Sequence, residues 1–126
     1  MYTGNDRVGY LLELHREYND VYFSGLLMPI RILIKRNSTK DGWYEYITEK
    51  RDGPRSEAWY PRRDRLHKAV IVISEGCWEE GTVEGTLIHE MIHQYQAEVE
   101  DTATHHDVVF RKWARALELE TGFDIE

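Results

Sequence analysis

At 126 residues the chain is sized for a single domain, 1–126, with a core over about residues 6–122. A net charge of −7 gives no general electrostatic hold on nucleic acid or anionic membranes, and a lone cysteine, Cys77, excludes both an internal disulfide and a cysteine-rich zinc ribbon. There is no leader pattern at the N-terminus and no apolar run of membrane-spanning length, so the expected setting is the reducing cytoplasm, with no membrane partner.

Residues 6–22 read as a helix. Val8, Leu11, Leu12, Tyr18 and Tyr22 fall along one broad face, and Asn5 or Asp6 is placed to cap the start. His15 lies near that stripe without an acidic or histidine partner at helical spacing, so it reads as a packing residue and not a ligand. Ser24-Gly25 breaks the pattern. After Pro29, residues 30–35 have strand character, with Ile30, Ile32 and Ile34 on one face. Residues 37–42 form a turn by composition, and 43–48 are a second strand, expected to run antiparallel to the first.

Residues 50–68 hold seven basic and three acidic residues, together with Trp59, Tyr60, Pro54 and Pro61. They read as an irregular basic and aromatic insertion. Such a loop can stack on bases, but a solvated hairpin extension is the simpler expectation. Residues 69–73 are a continuous apolar run, the pattern of a central strand buried on both faces. Cys77 follows as a small buried thiol.

A helix then opens near Thr82, a suitable N-cap, and fades near residues 98–101. Val83, Leu87, Ile88, Met91, Ile92 and Tyr95 give it an apolar side, so it reads as half-buried with a wet edge. Gly85 inside it implies a close backbone approach, which the central strand would supply. The other edge carries His89-Glu90-Met91-Ile92-His93, the HExxH pattern. Residues four apart stack on one helix face, so both imidazoles can reach a single ion, and Glu90 stands beside them to hold and deprotonate a water. A catalytic zinc takes three protein ligands. His105 and His106 follow across a short connection, with Glu98, Glu100 and Asp101 as carboxylate rivals. Phe110, Trp113, Ala114 and Leu117 then mark a last helix, which Gly122 can end.

These residues resemble the SprT-like (Spartan-type) metallopeptidases. The resemblance rests on His89-Glu90-Met91-Ile92-His93 and on His106-Asp107-Val108-Val109-Phe110, where a histidine stands four residues before a phenylalanine at a helix start. It extends to Phe23-Ser24-Gly25-Leu26-Leu27-Met28-Pro29 and to Val70-Ile71-Val72-Ile73-Ser74, and so covers most of residues 8–118. It implies His89, His93 and His106 as ligands of zinc (Zn2+), with His106 preferred over His105 by its spacing to Phe110. It implies Glu90 as the catalytic base of an endopeptidase acting on protein or peptide substrates. The family's association with DNA-bound proteins makes DNA a candidate partner that the net charge does not support. Two features depart from the family. Asp107 stands where glycine is usual, and could cap the last helix or touch a ligand histidine. A zinc ribbon is not expected, since these residues hold a single cysteine.

The expected fold is α+β, a minimal zincin-like domain. It comprises an N-terminal helix, a small sheet of three to four strands, the HExxH helix and a closing helix. The alternatives to a zinc endopeptidase are a catalytically idle, zinc-stabilised binding module and a different minimal zincin with a carboxylate as third ligand.

Overall fold

The apolar run that follows the insertion becomes the middle of the sheet. In the computed structural model, which describes residues 4–36, 39–45, 69–100 and 104–126, β1 spans Arg31–Lys35, β2 Gly42–Glu45 and β3 Val70–Ser74. The helices are α1 (Gly4–Tyr22), α2 (Gly76–Glu80), α3 (Val83–Glu98) and α4 (Val108–Thr121). The architecture is α+β, as expected, with a three-stranded mixed sheet in the order β1-β3-β2. The insertion 50–68 and Asp101 lie outside the described residues.

The expected β1–β2 pairing is corrected. β3 lies between them, parallel to β1 with Ile32 opposite Ile71, and antiparallel to β2 with Trp43 opposite Val72. The physical reason is in the side chains. In β3, Ile71, Val72 and Ile73 are all buried, so both faces need cover and the strand takes the centre. In β1, Ile32 is buried while Leu33 is 40 % exposed, which suits an edge strand.

Helix α3 packs against β2, β3 and all three other helices. It is more deeply enclosed than a half-buried helix. Leu87, Ile88, Met91 and Ile92 are buried on its apolar side, each contributing about 1.5–3 kcal/mol. Glu90, His93, Gln94, Gln96 and Glu98 are buried too. Thr82 stands at the N-cap position, but its side chain makes no capping bond; its carbonyl accepts from Thr86 N instead. Gly85 does mark a close approach, though by the chain's C-terminal residues and not by the central strand. A Cβ there would stand 2.2 Å from the Asp124 carbonyl oxygen.

Helix α1 lays Leu11, His15, Tyr18 and Tyr22 toward the core, whereas Leu12, expected on that face, is 42 % exposed. His15 is a packing residue with a polar tie. Its Nε2 lies 2.7 Å from Gln94 Oε1; Gln94 Nε2 donates to Met28 O (2.9 Å) and to Glu98 Oε2 (2.6 Å). Glu98 Oε1 closes the circuit by accepting from Met28 N at 2.7 Å. This buried network pins the turn after α1 to the last turn of α3. Cys77 is buried, and its thiol donates to the Asp41 carbonyl.

Candidate metal centre

His89 and His93 project from one side of α3, one turn apart, with ring centroids separated by 5.1 Å. The third histidine comes from the entry to α4. Asp107 caps that helix by accepting from Phe110 N at 2.9 Å, so the residue standing where glycine is usual fixes the chain immediately after His106. His106 Nε2 lies 3.0 Å from His89 Nε2 and 3.1 Å from His93 Nε2. The three ligand atoms lie within 4.8 Å of one another. Among the described residues this is the group of histidine, cysteine or carboxylate side chains that could hold a metal ion.

The ring nitrogens on the far side decide what those three atoms can bind. His89 Nδ1 is 2.6 Å from the Ile125 carbonyl oxygen, which can only accept. Nδ1 therefore carries the proton and Nε2 presents a lone pair. His93 Nδ1 is 2.8 Å from Gln96 Oε1, whose orientation follows from the same amide donating through Nε2 to His105 O at 2.9 Å. His93 Nε2 is bare for the same reason. Two lone pairs thus converge where the third imidazole nitrogen also arrives, and a cation is what such an arrangement accommodates. Phe110 underlies the cluster, its ring centroid 4.9, 4.7 and 4.7 Å from those of His89, His93 and His106.

Burial keeps these groups in the forms a metal needs. It lowers the pKa of His89, and it takes His93 down to about 4 against the opposing bond to Gln96. The same desolvation pushes the Glu90 carboxyl up to about 8. Glu90 Oε2 lies 4.0 Å from His89 Nε2, at a cleft of about 250 Å3 whose lining includes Asp41, Gly42, Thr86, Asp124 and Ile125.

The rivals for the third ligand go elsewhere. Glu98 is engaged with Met28 and Gln94. Glu100 is half-buried outside the histidine group, its carboxyl pushed up by burial and by Asp107. His105 has an exposed side chain and contributes only its carbonyl. Tyr95, on the apolar side of the same helix, packs against Phe23 and Trp113, at 5.9 and 4.8 Å. Gln96 and Ile125, which hold the ligand rings, were not foreseen. Gln96 carried one local signal, an amide three residues after His93 on the same helix. Ile125 carried none.

An α+β domain whose HExxH helix meets a third histidine at the start of the closing helix is of the minimal zincin-like class. The SprT-like family model matches residues 11–126, essentially the whole chain, and the chain belongs to that family. No curated protein matches the sequence. Among the described residues, no helix is long and apolar enough to cross a membrane.

Proposed function

We propose that this chain is a zinc-dependent endopeptidase in which His89, His93 and His106 bind the metal and Glu90 is the catalytic base. The observation that carries this reading is the position of Glu90. It is a buried carboxyl beside the histidine cluster, at a cleft open to substrate. Three neutral imidazoles are the donor set of a catalytic zinc site, and they suit that ion better than magnesium or calcium. When bound, zinc supplies Lewis acidity toward water and a carbonyl oxygen, and a positive charge that draws Glu90 toward its ionised form.

The chain's own residues do the rest. Ile125 O and Gln96 Oε1 hold the first two imidazoles with Nε2 unprotonated. Phe110 fixes the ring planes and keeps water from the inner side of the cluster. Glu90 accepts a proton from a water entering by the cleft as that water attacks a peptide carbonyl. It then returns the proton to the departing amine. An idle zinc-stabilised module would have no use for a carboxyl held at the cost of desolvation beside the ligands.

The substrate is a protein or peptide. The net charge of −7 supplies no general attraction for DNA, so DNA is not part of the proposed activity. The test is cleavage of an unfolded protein substrate, with and without DNA, after chelation and zinc add-back. Cleavage that stops on chelation and returns with zinc supports the reading. A zinc-loaded protein that cleaves nothing in either condition contradicts it.

A further inference from the structure

The C-terminal residues after α4 fold back over the HExxH helix, and the zincin pattern gives them no role. Their path is fixed at several points. Gly122 ends α4 with φ 78°, and Phe123 N donates to Thr121 Oγ1 at 3.1 Å. Ile125 N donates to Glu118 Oε2 at 3.0 Å, and the Ile125 side chain is buried in the core. Between these points the Asp124 carbonyl passes so close to α3 that only glycine fits at position 85. The outcome is one contact on the cluster, from His89 Nδ1 to Ile125 O at 2.6 Å.

We propose that residues 123–125 are a positioning element of the metal centre, which sets the orientation and tautomer of His89 through the Ile125 carbonyl. Gly85 and Glu118 are its anchors. A backbone carbonyl can only accept, so it holds His89 with Nε2 bare whatever the side chain at position 125, as long as the path of the chain is kept. The sequence shows no motif for this because the contact is made by main chain. Asp124 and Ile125 of the same segment also line the cleft, so its seating shapes the entry as well as the ligand.

This inference rests on the zinc reading above, and its test reads metal affinity and ring chemistry, not proteolysis. Zinc affinity is measured by competition with a chromophoric chelator on the full chain, for wild type, Gly85→Ala, Glu118→Ala and Glu118→Gln. The imidazole tautomers are read from long-range 1H–15N spectra of the metal-free proteins. Loss of a group that orients a ligand costs about 10–100-fold in metal affinity. Gly85→Ala is therefore expected to weaken zinc binding at least about tenfold although alanine favours the helix. Glu118→Ala is expected to act in the same direction. Glu118→Gln, which keeps an acceptor for Ile125 N, is expected to bind as wild type does. In both weakened variants the His89 Nδ1 proton signal is lost while that of His93 persists. If Gly85→Ala does not fold, the Glu118 pair decides the matter. Wild-type affinity and an unchanged His89 signal in the folded variants overturn the proposal and leave the zinc reading intact. A wild-type chain that binds no zinc overturns both.

Discussion

Gln96 ties His93 to the loop that delivers the third histidine. Its Oε1 lies 2.8 Å from His93 Nδ1, and its Nε2 donates 2.9 Å to the carbonyl of His105. One buried amide thus sets the tautomer of one ligand and the approach of another. Gln96→Ala removes both bonds at once. We expect zinc affinity to fall about 10–100-fold, measured by chelator competition. Gln96→Glu keeps an acceptor for Nδ1 but loses the donor to His105, so its loss is expected to be smaller.

The two adjacent histidines differ in what they offer. His106 brings Nε2 within 3.0 and 3.1 Å of its partners, whereas the His105 side chain is exposed. His106→Ala should therefore abolish tight zinc binding, while His105→Ala should leave it close to wild type, because its contribution is a backbone carbonyl. Metal content of the two purified variants checks this, and the reverse result would move the third ligand by one residue.

Phe110 is the floor of the cluster and is buried at the α3–α4 contact. Phe110→Ala should cost about 3–5 kcal/mol of stability through the cavity it leaves. Zinc affinity should fall as well, since three imidazoles lose the surface that fixes their planes. Denaturant unfolding with and without zinc separates the two effects.

Glu98, a carboxylate near the metal helix's end, is structural. Glu98→Ala removes the acceptor of Met28 N and one of the two acceptors of Gln94 Nε2, whose bond to Met28 O remains. That should cost about 1–3 kcal/mol by unfolding measurements and leave zinc stoichiometry unchanged. A loss of bound zinc in a folded variant would contradict the assignment.

The stability of the metal-free protein should depend on pH in two opposed ways. His15, His89 and His93 have folded pKa values below the usual 6.5, with burial the main cause. Their contribution is complete above about pH 6.5 and is lost as pH falls, toward about 4 for His93. Glu90 is raised from 4.5 to about 8, so its contribution is complete below about pH 4.5 and is lost as pH rises through about 8. These four groups together place maximum stability near pH 6.5. Glu90→Gln should remove the decline on the alkaline side and steepen the rise between about pH 4.5 and 6.5, where the loss from Glu90 opposes the gain from the histidines. Thermal melts of both proteins across pH 4–9 test this, and an unchanged alkaline decline in the variant would contradict it.

The parts of the fold legible in sequence were those encoded by local periodicity. The apolar run at Ile71, Val72 and Ile73 announced a central strand, and the spacing of Phe110, Ala114 and Leu117 announced the closing helix. The HExxH spacing put His89, Glu90 and His93 on one helix, and the step from His106 to Phe110 singled out the histidine that the structure brings beside them. Strand order was not legible, because β2 pairs with a strand that follows a long insertion. Gln94, Gln96 and Glu98 look like a solvated helix face by residue type, yet each is buried because it has a partner from elsewhere in the chain. Ile125 was invisible for a further reason. It acts on His89 through a carbonyl, which every residue possesses.

The most direct test of the central claim is to measure zinc content and proteolysis together on wild type and Glu90→Gln. The substitution keeps the shape of the side chain and leaves His89, His93 and His106 in place, but removes the base. The account predicts one equivalent of zinc in both proteins, cleavage of a protein substrate by the wild type, and a loss of at least about 100-fold in the variant. Comparable cleavage by Glu90→Gln, or no cleavage by zinc-loaded wild type, would contradict it.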